Sequence, residues 1–258
     1  MKISEIIRFL ESWAPLALQE DYDNSGLQVS RSTDVQCSGV LVCLDVTEEV
    51  MDEAVAGGFN MVLSHHPLIY RPIKQVTSLA YQQRCIIKAL DHGITVYSAH
   101  TCLDNAPEGV NWQISHILGL SGLQPIVPRE GTDGGGSGRI GTLDKAESPA
   151  VFLDRVKKAF DCKVVMHSAP AGEIRRVAVC GGSGASFLQQ AAAAGADAYV
   201  TGELHYHDYF EPGVLAVALG HYESEHLTRE LMEERLAAAF PSLRIQITTI
   251  DTNEVHYL

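Results

Sequence analysis

The sequence predicts an α/β fold made of two similar domains with mostly parallel sheets. Three features carry that expectation. Short, nearly continuous apolar runs alternate with helical segments closed by glycine. The same alternation recurs in the second half of the chain, and several of the runs end in histidine. Apolar runs without a polar-out alternation are the mark of strands buried on both faces, and their alternation with helices argues for parallel pairing.

Taken in order, Ser4 opens an amphipathic helix with Ile6, Ile7, Leu10 and Trp13 on one stripe, stopping before Pro15. A polar turn from Asp21 feeds a strand near Leu27–Val29. Val40–Asp45 is an apolar run, and Thr47 caps a helix over Glu48–Ala56, with Glu48 and Glu49 in its first turn where the helix dipole favours acid. Gly57-Gly58 closes that helix and the Phe59–Ser64 strand follows, running into His65-His66-Pro67. A helix over about Ala80–Leu90 leads through Gly93 to the strand Ile94–Ser98, which delivers His100 and Asp104.

Between Ser121 and Lys145 the pattern lapses. Gly131–Gly141 reads as a flexible surface loop; as a phosphate cradle it lacks both a feeding strand and a following Lys-Ser/Thr. A domain boundary is expected there, with residues 1–125 plus about 222–258 forming one domain and about 126–221 the other. The second half repeats the first: the strand Arg176–Cys180, Gly181-Gly182-Ser183-Gly184 turning into an alanine-rich helix that ends at Gly195, the strand Asp197–Thr201 leading to His205, and the strand Val214–Ala218 leading to His221. The spacing from Val40 to His65 is close to that from Val177 to His205, which suggests an internal duplication. From Tyr222 onward a helix is expected through Leu227, Leu231 and Leu236.

Composition narrows the function classes. Hydrophobic residues make up 46% and charged residues 20%, as in ordinary soluble globular proteins. The net charge of −13 repels phosphate backbones and anionic membranes, so neither nucleic acid nor a membrane is an expected partner. The six cysteines form no Cys-x-x-Cys pair, which fits a reducing, cytoplasmic setting. The N-terminus has no signal-peptide pattern, and no apolar run approaches the roughly 20 residues that span a bilayer.

Open α/β sheets gather ligands at the carboxyl ends of their strands. Three such ends carry metal-grade side chains: His65 with His66, His100 with Asp104, and His221 with Glu225. A lone His-His pair more often sets one core histidine beside an exposed one, and adjacent strand residues point to opposite faces. Both rings face one cavity only if the strand has broken, as Pro67 suggests. His221 and Glu225, four apart on a helix, share one face. Five ligands drawn from these six residues would exceed a tetrahedral zinc with an open position and suit two ions sharing a carboxylate. His205-x-His207 competes, but Asp208 follows directly and the His-x-His-x-Asp-His arrangement is absent, which points instead to holding substrate or steadying a ligand. His-Glu-x-x-His and Gly-x-Ser-x-Gly are missing.

With these residues in view, the chain resembles the dinuclear-metal proteins described as type 2 homologues of GTP cyclohydrolase I, also called the Ngg-interacting-factor family. The resemblance rests on Asp23-Asn24-Ser25-Gly26-Leu27, Ser64-His65-His66-Pro67-Leu68, Ala99-His100-Thr101-x-Leu103-Asp104, Thr201-Gly202-Glu203 and Gly220-His221-Tyr222-x-Ser224-Glu225, in order along nearly the whole chain. It implies two similar α/β domains with the metal site at strand C-terminal ends between them. It also implies that His65, His66, Asp104, His221 and Glu225 hold two divalent ions, with Glu225 as the bridge. A toroidal homohexamer, a trimer of dimers or similar ring, is implied too. The short glycine-rich loop matches the compact form without an inserted domain.

Two functions follow as expectations. The first is a metal-dependent hydrolase of cyclohydrolase or amidohydrolase type acting on a nucleotide or heterocyclic small molecule, the substrate class being implied by the resemblance. His100 or His205 would carry protons or hold substrate. The second is a non-catalytic metal-binding or partner-binding hexameric scaffold. Mixed histidine and carboxylate ligands suit zinc, iron, manganese or nickel.

Overall fold

In the computed structural model, which describes residues 1–169 and 172–258, the chain divides into two compact units. The first holds Met1–Leu103 and Leu227–His256; the second holds Asp104–His226 and Tyr257–Leu258.

The first unit opens with α1 (Ile3–Trp13), which buries Ile3, Ile6 and Leu10 along one stripe, followed by β1 (Gly26–Val29) and β2 (Val40–Cys43). Then come α2 (Glu48–Gly57), β3 (Met61–Ser64), α3 (Tyr81–His92), β4 (Thr95–Ser98) and the single turn α4 (Thr101–Asp104). Thr47 Oγ1 accepts from Val50 N at 3.3 Å, the expected cap of α2. Gly58 and Gly93, at φ 69° and 65°, end α2 and α3 in the left-handed conformation that glycine adopts without strain. Every residue of β2, β3 and β4 is buried, which is why these runs are apolar on both faces. Val50, Met51 and Ala54 of α2, with Cys85, Ile86 and Ala89 of α3, pack with Leu41, Val62 and Val96 in one core cluster.

The second unit runs through α5 (Val110–Ile117), β5 (Ser121–Gln124), β6 (Val127–Pro128), β7 (Gly136–Ser137), β8 (Arg139–Glu147) and α6 (Pro149–Ala159). It continues with β9 (Met166–His167), β10 (Ile174–Cys180), α7 (Leu188–Ala193), β11 (Ala198–Thr201), β12 (Leu215–Ala218) and α8 (His221–Glu225). The chain then returns to the first unit with α9 (Thr228–Ala239) and β13 (Ile245–Ile247). Arg244 anchors that return, its guanidinium 3.9 Å from the Phe59 ring centre and its Nη1 donating to Gly57 O at 2.8 Å.

Among the described residues the first unit's sheet has the order β1-β4-β3-β2-β13, parallel except for β1 on β4. The second unit's sheet has the order β5-β8-β10-β11-β12-β9. Only β10-β11-β12 is parallel there; β5, β8 and β9 pair antiparallel, so this sheet is mixed rather than mostly parallel. The two sheets share a topological pattern: β2-β3-β4 with β1 antiparallel on β4 corresponds to β10-β11-β12 with β9 antiparallel on β12.

Register corrects the pairing drawn from spacing. Ser64 pairs with Cys43 and Thr201 with Cys180, so the counterparts of His65 and His66 are Gly202 and Glu203, not His205. The domain expectation also shifts. Residues 104–125 fall in the second unit, because β5 pairs with β8 and Asn111 of α5 bonds Gly181 beyond β10. The helix expected from Tyr222 through Leu236 is broken after Glu225, where the chain passes from the second unit to the first. The end of the glycine-rich loop is packed rather than loose, since Gly136 and Arg139 are buried.

Candidate metal centre

In the first unit, β3 and β4 deliver their histidines to one place. Backbone pairing continues briefly past β3, with His65 N donating to Cys43 O and His66 N to Leu44 O. Ser64 Oγ then donates to His66 O at 2.8 Å, and the break turns both rings to the same side, with centroids 5.0 Å apart. The His100 ring lies 5.3 Å from that of His65 and 5.5 Å from that of His66. A ligand atom from each of the three lies within 4.8 Å of the others.

Each ring is held at Nδ1. His65 Nδ1 lies 2.8 Å from Ala99 O, His66 Nδ1 2.7 Å from Asp45 Oδ1, and His100 Nδ1 2.6 Å from Asp23 Oδ1. A carbonyl or an ionised carboxylate only accepts, so Nδ1 carries the proton and the lone pair of a neutral ring sits on Nε2. That is the tautomer and the carboxylate–histidine pairing found behind metal ligands.

The two carboxylates are fixed in turn. Asp23 Oδ2 accepts from Ser25 Oγ at 2.6 Å, Thr101 N at 3.1 Å and Thr101 Oγ1 at 2.5 Å. Its burial works against ionisation, but His100, Ser25 and Thr101 outweigh that and hold it well below the usual carboxylate range. Asp45 is likewise lowered: burial opposes, while His66 and a 3.1 Å bond from Thr252 Oγ1 prevail.

In the second unit, α8 carries His221 and the buried Glu225 one turn apart, with Nε2 and Oε2 separated by 3.1 Å. Two donors about 2.1 Å from one cation lie roughly 3 Å apart at an octahedral edge, so this separation is one that two ligands of a single cation adopt. On the other side, His221 Nδ1 lies 3.1 Å from Glu203 Oε1, and Ser183 Oγ donates to Glu203 Oε2.

Glycines make the room. A Cβ at Gly182 (φ 58°) would come 2.4 Å from Glu225 Oε1, and one at Gly202 2.6 Å from Gly182 O. Asp104 ends α4, and its carbonyl accepts from Asn111 Nδ2 at 3.0 Å. The donor sets in both units therefore suit a divalent ion of borderline character.

His205 lies elsewhere. It precedes an exposed 3-10 turn (Tyr206–Tyr209), its side chain is 87% exposed, and its nearest ionic partner is Asp208 at 3.3 Å. His207 meets Tyr206 edge-on and lies tilted against Phe210, with ring centroids 5.3 and 5.9 Å away. Asp23, Asp45, Glu203 and Gly182 have no role that residue type and spacing alone reveal. Asp23 and Glu203 lie inside the motifs Asp23-Asn24-Ser25-Gly26-Leu27 and Thr201-Gly202-Glu203, and the signal available for Asp45 is a carboxylate just past a buried strand.

Comparison with known proteins gives the chain's relatives and its fold. A family model described as Duf34/NIF3 (NGG1p interacting factor 3) matches residues 1–255. The "GTP cyclohydrolase 1 type 2 homolog" of a Nostoc species is 36% identical over 245 residues, 92% of this chain and 91% of that protein. The protein of the same name from Lactococcus lactis is 32% identical over 260 residues, covering 98% of each. The crystal structure of Staphylococcus aureus protein SA1388 superposes with a TM-score of 0.90 at 26% identity, covering 100% of this chain and 99% of that one. No helix among the described residues is long and apolar enough to cross a membrane.

Proposed function

This chain belongs to the Duf34/NIF3 family, and from that premise we propose that it is a dinuclear divalent-metal protein acting as a hydrolase of cyclohydrolase or amidohydrolase type on a heterocyclic or nucleotide small molecule. His65, His66, Asp104, His221 and Glu225 would hold the two ions. The observation that carries the reading is the gathering of His65, His66 and His100, each tied at Nδ1 so that Nε2 is its donor atom. The names of the Nostoc and Lactococcus relatives support the hydrolase class.

Two divalent ions bound by these residues would supply Lewis acidity and a more acidic water. The chain's own groups do the rest. Asp23 holds His100 in one tautomer with Nε2 as the basic nitrogen, which suits it to take a proton from water or return one to a leaving group. Asp45 and Glu203 orient His66 and His221. His205 is assigned to contact with incoming substrate, as its exposure allows.

Elemental analysis of the purified protein, followed by a hydrolase panel with the metal found, tests the reading. Two equivalents of zinc, iron, manganese or nickel are expected, falling in H65A, H66A and E225Q. A fully loaded protein that opens no ring and cleaves no amide or ester would overturn the hydrolase assignment. H100A separates ligand from proton carrier: lost metal marks a ligand, retained metal with lost turnover a proton carrier.

A second reading, a metal-holding scaffold without catalysis, is favoured by the −13 net charge, which attracts cations. Its signature is an E225Q variant that retains its metal and its full phenotype. In either case we assign the chain to a homohexameric ring in the cytoplasm, and light scattering at the hexamer mass is the expected result.

A further inference from the structure

The glycine-rich stretch before β8 surrounds a buried charge. Arg139 is 2% exposed, and its partners are main-chain carbonyls. Nη1 donates to Gly136 O at 2.8 Å and Gly138 O at 2.9 Å; Nη2 donates to Ala106 O at 2.8 Å and Gly134 O at 3.2 Å. Burying a guanidinium is costly, and here carbonyl dipoles replace its water. Three of the four carbonyls belong to glycines with positive φ: Gly134 at 75°, Gly136 at 150° and Gly138 at 61°. A Cβ would come 2.3 Å from Val127 O at Gly136 and 2.6 Å from Ile126 Cδ1 at Gly138. These glycines wrap the chain around the guanidinium, so they serve close approach and not looseness.

The fourth carbonyl leads out of the loop. Ala106 lies two residues beyond Asp104, and the three consecutive carbonyls from the last residue of α4 onward are each secured: Asp104 O by Asn111 Nδ2 at 3.0 Å, Asn105 O by Gly136 N at 2.9 Å and Ala106 O by Arg139 Nη2 at 2.8 Å. Asn111 is itself buried, and its Oδ1 accepts from Gly181 N at 2.9 Å. A Cβ on Gly181 would lie 3.4 Å from Glu225 Oε1. One network therefore runs from Arg139 through the Asp104–Ala106 turn to the loop against Glu225.

We propose that Arg139 is a positioning residue for Asp104, fixing the turn that follows it so that its carboxylate is held ready for a divalent cation. The inference rests on the proposed role of Asp104 as a ligand. A lysine offers three donors from one point, whereas the planar fork reaches four carbonyls spread over two segments. Arg139 therefore acts through geometry as well as charge.

The test uses the full-length protein stripped of metal and titrated with Co2+ against a chromophoric chelator, with absorption spectra of the loaded protein and melting curves of the metal-free one. Positioning residues behind metal ligands typically change affinity by about 10–100-fold. D104A and R139M are each expected to weaken Co2+ binding on that scale and to alter the Co2+ spectrum in the same way. R139K should fall between R139M and the unaltered protein. In the D104A background, R139M and R139K should cause no further loss, because Arg139 acts through Asp104. A purely structural arginine would lower the melting temperature without changing the affinity or the spectrum. Should R139M not fold, R139K alone and with D104A gives the same comparison. Unaltered affinity in D104A removes the ligand assignment and this proposal with it. Weakened binding in D104A with unaltered binding in the Arg139 variants, or an additive loss in the double variants, overturns the positioning role alone.

Discussion

Glu203 grips His221 on the side opposite Glu225, its Oε1 lying 3.1 Å from Nδ1 while Glu225 Oε2 lies 3.1 Å from Nε2. Burial works against ionisation of Glu203, but bonds from Ser183 and His221 prevail and keep the carboxyl below its usual value. Glu203 is also the topological counterpart of His66, so equivalent strand ends supply a histidine in one unit and, in the other, the acid that orients His221.

Removing this acid is expected to leave the fold intact and weaken cation binding. E203A should lose about 10–100-fold in metal affinity, and E203Q, which keeps an acceptor oxygen, should lose less. Chelator competition on the two variants, beside their melting curves, checks the order.

Gly182 predicts a different failure. Its φ of 58° and the 2.4 Å approach of a built Cβ to Glu225 Oε1 leave no place for a side chain. G182A should cost about 1–3 kcal/mol through backbone strain and displace Glu225. Denaturant melts and metal content measured together would show both losses; a stable variant with full metal content contradicts the packing described.

Acid should loosen the C-terminal strand first. Glu53 on α2 accepts from Thr249 N at 3.0 Å, Thr249 Oγ1 at 2.9 Å, Gln246 Nε2 at 3.2 Å and Thr248 Oγ1. Burial raises its pKa, but these bonds outweigh it and bring the pKa below the 4.5 of a free glutamate. A depressed folded pKa gives stability that is fully present above the unfolded value and lost as pH falls through the folded one. Hydrogen exchange over Ile245–Thr249 between pH 6 and pH 3 should therefore speed up below 4.5 beyond its intrinsic pH dependence. E53Q should flatten that response.

Three buried cysteines, Cys43, Cys85 and Cys162, should be inert while the chain is folded. Burial pushes the Cys85 thiol up to about 11 and, with the nearby Glu223 charge, the Cys162 thiol up to about 12; buried Cys43 is raised as well. Iodoacetamide at pH 8 is expected to label these three only after denaturation, read by peptide mass spectrometry. Native labelling at Cys162 would contradict its burial.

Much of the fold was legible because burial on both faces writes itself into composition. Val40–Cys43, Met61–Ser64, Thr95–Ser98 and Leu215–Ala218 are buried at every position, and Thr47, Gly58 and Gly93 punctuate the helices as local chemistry requires. The antiparallel strands β8 and β9 and the break after Glu225 were less legible. The outer half of β8 is largely exposed, β9 has two residues, and the break falls where the chain changes units, a long-range event without a local signal.

By itself the sequence determined the two-unit α/β grammar, the histidines at strand ends and the four-residue offset of His221 and Glu225, since each depends on periodicity or nearest neighbours along the chain. Only tertiary structure decided that Asp23, Asp45 and Glu203 stand behind the rings, that Glu203 and not His205 is the counterpart of His66, and that Arg139 is enclosed by a glycine loop. Those relationships join residues tens of positions apart through hydrogen bonds whose partners are fixed by register and packing, and neither is written in any short stretch of the chain.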